Sequence, residues 1–537
     1  MMSLPSKVDV LVVGFGPVGA AAASLLGGHG VRALVIDRSP ELLTHPRAIA
    51  LDNEALRILQ LCGLPEGAFP TLAIPYVRMH SPYCGEFARI NTGGSIDGHP
   101  KLVTFFQPDL ERALRAKVSS HAPVDTALGV ELTGLAEREG AVFATLKHAD
   151  GSTATVEAAY VIGADGAGSA VRRLIGLDFQ GHTYAEDWLI VDAKHVPRPI
   201  DHVEFLCHPR RPTPHMVAPG GRERWEFMLR PGESREEAAS DDGVLRLLSR
   251  WGRPEEMEIE RKAVYRFHAR TADAFHRGRV FLAGDAAHIT PPFVGQGLVA
   301  GLRDAANLCW KLAWVLRHGA SPSILDSYDT ERRPHARKMI ALAQWMGRLV
   351  MPGNAATAVM THGLMRLLRL VPPLRARLEE LGLKPRHRFT RGLFVRGRTR
   401  SRLVRGDVLP QGWLRGDDGS VRLSDDVFGP SLTLLGFGPD AGARLDAAVR
   451  AAFTAAGGRV VQLRHRGQRL HRADHGDSWE DLHGALTPGA APFGWAAIVR
   501  PDRTVLHDGP VSEVNRLVRE TLRLLGTPRA AEAAPTP

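Results

Sequence analysis

Cysteine is scarce in this chain: four residues in 537, at Cys62, Cys84, Cys207 and Cys309. None shares a CxxC spacing, so no disulfide framework or redox pair is available, and the usage suits a reducing cytoplasm. No uninterrupted stretch of about 20 apolar residues occurs, which argues against a transmembrane helix. The 23 histidines form no HExxH and no His/Cys cluster, so no metal site is expected. Ser169, in Gly-Ala-Gly-Ser, has neither a nucleophile elbow nor a paired histidine, which argues against hydrolysis. No internal repeat is present.

The hydrophobic content of 44% over this length is globular and predicts two or three domains with large cores. The formal net charge of +10 suggests nucleic acid until it is located. Between Thr361 and Arg405 thirteen Lys and Arg face two Glu, a balance of +11 that matches the whole excess. These arginines are spread over an amphipathic helix and a linker with no recognised nucleic-acid module. A solvated face or a subunit contact, as in a homodimer, is therefore expected, with no nucleic-acid or membrane partner.

Three glycine-punctuated acidic motifs follow one another along the chain. The first, Val-Val-Gly14-Phe-Gly16-Pro17-Val18-Gly19, follows the apolar run Val8 to Val13, a buried strand, and opens an Ala-rich helix over Ala20 to Leu26. Gly14 permits a tight turn, Gly16 lets the backbone approach a pyrophosphate, and Gly19 lets helix and strand pack closely. The helix N-terminus then offers N–H donors to phosphate. A second strand, Ala33 to Ile36, ends in Asp37 and Arg38, and Asp37 is placed to accept from a ribose. A secretory apolar segment is the competing reading of Val8 to Leu26, but Asp9 interrupts it and its glycines fit the turn.

The second motif is Gly163-Ala-Asp165-Gly166. The third, Leu-Ala-Gly284-Asp285-Ala-Ala-His288, ends a strand that begins at Arg279, where open α/β sheets bind ligands. Asp285 is suited to accept from ribityl hydroxyls; a simple helix cap is its plainer alternative. The loop Pro291-Pro292-Phe293-Val-Gly295-Gln296-Gly297 leads into a helix over Leu298 to His318, whose positive end is suited to negative charge on a reduced flavin. Together the motifs describe a site built around FAD.

The ordered trio resembles the class A flavoprotein aromatic hydroxylases, the p-hydroxybenzoate and phenol hydroxylase superfamily. His45-Pro-Arg47-Ala-Ile-Ala-Leu-Asp52-Asn-Glu54, Phe106-Gln107-Pro108-Asp109-Leu-Glu111, Trp225-Glu-Phe-Met-Leu-Arg-Pro-Gly-Glu233 and Glu331-Arg-Arg333 are similar to the subgroup of 3-(3-hydroxyphenyl)propionate hydroxylases. The resemblance covers all but about the last dozen residues. It implies FAD, NADH or NADPH and O2 as reactants, a flavin C4a-hydroperoxide as oxidant, and a small phenolic substrate hydroxylated ortho to its hydroxyl. Arg47 and Gln107 are then expected to contact FAD or the arriving NAD(P)H, and Asp165 to serve the dinucleotides; a surface arginine and a helix-start glutamine are the plainer readings. FAD, NAD(P)H and an aryl acid are all anionic, so a positive field would raise their encounter rates.

The same resemblance gives Asp52 and Tyr265 as candidates for handling the phenolic proton, which a hydroxylase must take or share while water is excluded. The alternatives are that Asp52 caps a helix over Asn53 to Leu61 and that Tyr265 is a core strand residue. Leu298-Val299 departs from the family pattern of Met or an aromatic followed by Asn. The Trp-x-Trp-x-Ile segment expected of flavin halogenases is absent. A polyketide hydroxylase and a non-catalytic flavin-binding subunit remain the competing functions.

The expected fold class is α/β: a Rossmann-like FAD-binding fold with an inserted β-sheet substrate domain and a C-terminal thioredoxin-like domain. Residues 1–185 and 271–384 form the FAD-binding part, with an excursion near 78–105 into a second sheet. Residues 186–270, with period-two alternation, form the substrate sheet. A linker over 385–419, a thioredoxin-like unit over 420–525 and a disordered tail over 526–537 complete the chain. Within that unit a strand is expected over Ser431 to Gly436, a helix over Ala441 to Ala456, and strands over Val460 to Leu463 and near Ala496. With no cysteine after Cys309 it is unable to perform dithiol exchange.

Overall fold

Val10, Leu11 and Val12 are fully buried because the strand Lys7–Val13 lies mid-sheet with both faces covered, which is why it reads as a continuous apolar run. The computed structural model describes all residues except 1–3, 43–45, 380–384, 386, 398–400, 469–476 and 528–537. His45 and most of the expected tail lie outside the described residues.

Three large sheets organise the chain. In the first, Lys7–Val13 runs parallel to Ala33–Asp37 on one side and Thr153–Gly163 on the other, with Val124–Leu128 beyond Ala33–Asp37. Val280–Leu282 adds in parallel to the end of Thr153–Gly163, so a segment late in sequence rejoins the sheet. The hairpin Val130–Arg138 and Ala141–His148 extends it antiparallel. The helix Pro17–Gly28 begins three residues before the expected Ala20, with proline in its first turn. It packs against Gln107–Ser119 and against Gly297–Arg317.

The second sheet runs in the order His288–Ile289, Glu258–Ala272, Phe179–Lys194, Arg222–Met228, Thr213–Ala218, Val203–Leu206, Tyr76–Ser81, Gly85–Asn91. Alternation divides its faces. Leu189, Val191, Trp225 and Phe227 pack against Val244 and Leu248 of the helix Asp241–Leu248, while Trp188, Arg224, Glu226 and Met228 point the other way. Residues 186–270, expected as a sheet with period-two alternation, also contain that helix and the short helix Arg235–Ala238. Ser240 and Ser234 cap them by accepting from the N–H groups of Gly243 and Glu237.

The third sheet contains seven strands, including Leu432–Phe437 and Gly458–Arg464, which pair in parallel, and Trp495–Val499. Two expectations need correction here. The strand Trp413–Gly416, placed in the linker, pairs with Val421–Leu423 and Asp477–Asp481 and so belongs to this sheet. The helix expected from Ala441 starts only at Ala447, because Gly438, Pro439 and Gly442 favour a turn in which Asp440 accepts from the Ala443 N–H.

Buried ion pairs tie this region to the rest. Arg57 donates to both carboxylate oxygens of Asp425, at 2.7 and 2.9 Å. Glu331 accepts from Arg500 at 2.7 and 3.0 Å and from Lys311 at 2.8 Å. Burial disfavours the charged carboxylate, yet the facing Arg500 and Lys311 outweigh it and hold the Glu331 pKa far below the ordinary range. Of the arginine-rich stretch, Arg366, Arg369 and Arg375 are engaged with Cys84 O, Glu86 and Glu379, while Met360, Leu364 and Leu367 of the helix Ala355–Leu368 stay exposed. No helix among the described residues is long and apolar enough to cross a membrane.

Candidate cofactor and substrate site

The parallel strands of the first sheet all end on one cavity of about 1770 Å³. Its opposite wall is the inward face of the second sheet. Every expected cofactor residue lines this cavity except Gly19. That exception is physical: a Cβ on Gly19 would lie 1.9 Å from the Gly14 carbonyl oxygen, so its role is close packing behind the loop. Gly14, at φ +101°, would place a Cβ 2.4 Å from the Ala164 carbonyl oxygen. Nothing stands within 4 Å of the Cβ position of Gly16, which faces open cavity. No side chain caps the helix behind it, so its first N–H groups are open to a ligand.

Acidic groups follow the glycines. Asp37 accepts from the N–H groups of Phe15 at 2.7 Å and Ser39 at 2.8 Å, which fixes its carboxylate at the strand end. Asp285 accepts no hydrogen bond from any described residue. Burial lifts its pKa above the ordinary aspartate range, against the pull of His288 and Arg47. A carboxylate held in a cavity without a protein donor is what a polyhydroxyl chain would satisfy. A second uncapped helix N-terminus, that of Gly297–Arg317, meets the cavity at Gln296, Gly297 and Leu298, after Gly295 at φ +62° turns the chain. The glycine cradle, the two open helix ends and the unsatisfied Asp285 fit the pyrophosphate, ribityl and flavin portions of FAD.

The second-sheet wall differs in kind. Val77, Met79, Val203, Phe205 and Met216 are apolar, and Phe293 and Met346 close the side. Among them stands one carboxyl from the strand Arg222–Met228, Glu226, whose side chain makes no hydrogen bond to a described residue. Burial raises it to about 7, with Arg224 pulling down and Asp192 pushing up.

A model described as FAD binding domain matches residues 7–343, and one described as HcaD C-terminal domain matches residues 406–524. The chain belongs to this FAD-binding family. The 3-(3-hydroxy-phenyl)propionate/3-hydroxycinnamic acid hydroxylase 2 of Burkholderia vietnamiensis is 34% identical over 513 residues, 93% of each chain. The corresponding hydroxylase of Comamonas testosteroni is 32% identical over 97% of this chain and 98% of its own. In fold, the flavin-dependent monooxygenase PieE, solved with FAD and substrate, matches with a TM-score of 0.81 at 23% identity, covering 98% of this chain and 100% of that one. OxyS anhydrotetracycline hydroxylase from Streptomyces rimosus matches at 0.75 and 25%, covering 97% and 99%. The family and these relatives make the chain a flavin-dependent aromatic hydroxylase.

Within that frame several residues named from sequence have local partners. Asp165 accepts from the Ser169 hydroxyl at 2.6 Å and from the Ala170 and Val171 N–H groups at 2.7 and 3.1 Å, so it joins the cap residue Ser169 in satisfying the start of the short helix Ala170–Leu174. The Gln107 carbonyl accepts from the N–H groups of Arg47 and Ala48, both at 2.8 Å, which holds Arg47 at the rim. Asp52 caps the helix Asn53–Leu61 through the Ala55 N–H at 2.9 Å and also accepts from Gln296 at 2.9 Å, with Arg303 at 3.4 Å. Tyr265 lies outside the cavity lining. Its hydroxyl accepts from Arg261 at 2.6 Å, and Arg261 also reaches Asp192 and the Pro46 carbonyl. Of the Leu298-Val299 pair only Leu298 faces the cavity, since Val299 is fully buried in the core.

Sequence reasoning missed Asp304, Arg303 and Glu226. Asp304 accepts from the Gly284 N–H at 3.0 Å, His288 at 2.7 Å and Arg332 at 2.8 Å, and so pins the Gly-Asp loop to the helix behind it. A charged pair in mid-helix, Arg303-Asp304 on an apolar background, was the available signal. Glu226 had one too: an acid set between Trp225 and Phe227 on an alternating strand.

Proposed function

We propose that this protein is an FAD-dependent monooxygenase that consumes NADH or NADPH and hydroxylates a phenolic acid of the 3-(3-hydroxyphenyl)propionate or 3-hydroxycinnamate type ortho to its hydroxyl. The observation that carries it is the two-walled cavity: an FAD-type cradle on one side and, opposite, an apolar wall wide enough for an aromatic ring with a single carboxyl. The names of the relatives support the substrate class.

Bound flavin, reduced by NAD(P)H, would supply an electrophilic oxygen from O2; the balance is phenol, O2, NAD(P)H and a proton to catechol, NAD(P)+ and water. The chain's work is to hold the reactants and exclude water. Gly14, Gly16, Pro17 and Val18 would bind the pyrophosphate, Asp37 and Arg38 the adenosine end, Asp285 the ribityl chain, and Pro292, Gly295, Gln296 and Gly297 the ring. Arg47, fixed by Gln107, would meet FAD or the incoming NAD(P)H. Asp52, already holding Gln296, would orient the loop beside the ring. We further read the second sheet as a substrate domain inserted in the FAD-binding fold, and the third as a thioredoxin-like unit that serves packing. A polycyclic phenol is the second reading, favoured by the apolar wall and by the likeness to OxyS.

Purified protein should carry one non-covalent FAD per chain and convert 3-(3-hydroxyphenyl)propionate to a catechol with matching NAD(P)H use. No catechol from any monocyclic phenolic acid, with turnover of a polycyclic phenol, would transfer the assignment to the second reading. Colourless protein that FAD does not reconstitute would end both.

A further inference from the structure

Glu226 is an anomaly in its strand. Arg222–Met228 alternates, and Arg222, Arg224 and Met228 share the side of Glu226, which alone of the four lines the cavity. Arg224 is consumed: it donates to Asp192 at 2.6 and 2.9 Å and to the carbonyls of Arg47 and Pro46. Glu226 has no such partner, although the residue is only 7% exposed and that exposure opens onto the cavity. A buried carboxyl without a hydrogen bond is costly in any fold, and more so when it is charged. Nothing in packing requires it, because the neighbours Phe205, Pro214 and Met216 on the same wall are apolar.

We propose that Glu226 is the group that accepts the hydrogen bond, and then the proton, of the substrate's phenolic hydroxyl. This rests on the hydroxylase reading above. In the step, the phenol O–H bond breaks, its proton passes to a Glu226 carboxylate oxygen, and the electron pair stays on the phenolate oxygen. Glutamate becomes glutamic acid, and the phenolate directs electron density to its ortho carbon. The apolar wall tolerates one negative charge shared between the two oxygens and disfavours two, so the proton stays between them until oxygen transfer.

The charged groups around Glu226 keep it suited to this. Arg224 on its own strand and Arg261 on Glu258–Ala272 lower its pKa, Asp192 on Phe179–Lys194 raises it, and burial dominates, leaving it near neutrality, where a general base works best. Tyr265 lies on the same face of the sheet, with its hydroxyl on Arg261. Tyr265 is thereby a positioning residue that steadies Arg261, and Glu226 takes the proton-handling part first given to Asp52 and Tyr265.

The test compares wild-type holoenzyme with Glu226→Gln and Glu226→Ala. Binding of 3-(3-hydroxyphenyl)propionate and of 3-phenylpropionate, which lacks the hydroxyl, is followed by flavin absorbance change from pH 5.5 to 8.5. Wild type should favour the phenol by roughly tenfold or more, since a site built for a hydroxyl rejects the analogue without it. Its affinity for the phenol should weaken as pH falls below about 7. Glu226→Ala should bring the ratio close to one, and Glu226→Gln should remove the pH dependence while FAD content stays at one per chain. Glu226→Gln should also lower catechol formation by roughly 10²-fold, with peroxide rising in its place. An unchanged binding ratio in Glu226→Ala, or unchanged pH dependence and product yield in Glu226→Gln, overturns the proposal. If wild type hydroxylates only a polycyclic phenol, the substrate reading alone fails, and the same two variants are scored with that phenol and its deoxy analogue.

Discussion

The two walls of the cavity are built by opposite rules. The first-sheet wall binds through backbone: bare glycines, two helix ends without side-chain caps, and acids at strand ends. The second-sheet wall offers side chains projecting from a mostly antiparallel sheet. Backbone binding constrains sequence at fixed spacing, because only glycine fits where a Cβ would strike the Ala164 carbonyl. A side-chain wall constrains only size and polarity, and its members come from strands as distant as Met79 and Met216. One wall should therefore fail as a unit when touched, and the other should be retunable residue by residue.

The largest effect is expected at Asp285. Asp285→Ala removes an acceptor without a protein donor, so the chain should fold, as judged by far-UV circular dichroism, yet purify without flavin absorbance. Retention of FAD would break the contrast at its strongest point.

Asp304 comes next. Its replacement by alanine strands Arg332 and His288 in a fully buried place and frees the Gly284 N–H, at an expected loss of about 3–5 kcal/mol. Thermal denaturation checks this, with early FAD release as the companion sign. A melting point within a degree of wild type would show that the Gly-Asp loop needs no such anchor.

On the opposite wall, a Glu226 change should act in the reverse direction on stability. Its carboxyl moves from an ordinary 4.5 to about 7, so the folded state binds the proton more tightly than the unfolded one. The resulting penalty is absent below pH 4.5, grows as pH rises, and is complete above pH 7. Glu226→Gln should therefore be more stable than wild type above pH 7, by at most about 3 kcal/mol at 1.36 kcal/mol per unit, and equal to it in acid. Urea melts at pH 5 and pH 8 would show it.

The smallest effect sharpens the first wall. Asp165 satisfies the helix Ala170–Leu174 internally, so Asp165→Ala should lose about 1 kcal/mol, the usual worth of a cap, and keep most of its FAD. Loss of all flavin would restore to Asp165 the direct role first expected of it.

This contrast also explains what was legible in the sequence. The strand, glycine loop and helix of the first motif were visible because period and glycine spacing are local properties, and Gly14 through Asp37 fall where expected. The cap alternative for Asp52 was legible as well, since an aspartate before Asn53–Leu61 is a local signal. Tyr265 was not, because whether a strand residue reaches a cavity depends on which strand lies beside it, and Arg261 intercepts its hydroxyl. Arg303 and Asp304 were hidden for the same reason: their partners Glu54, His288 and Arg332 lie 16 to 249 positions away. The helices Arg235–Ala238 and Asp241–Leu248 were masked by the strand alternation on either side of them, and Trp413–Gly416 by the glycine and arginine content around it.

Oxygen transfer from O2 at the flavin wall to a phenol held on the side-chain wall leaves an isotopic mark on the product. The most direct measurement is mass spectrometry of product formed under ¹⁸O2 with NAD(P)H and 3-(3-hydroxyphenyl)propionate. A catechol carrying one labelled oxygen for each NAD(P)H consumed is expected; NAD(P)H oxidised to yield peroxide alone, or a product whose new oxygen comes from water, would contradict such a transfer.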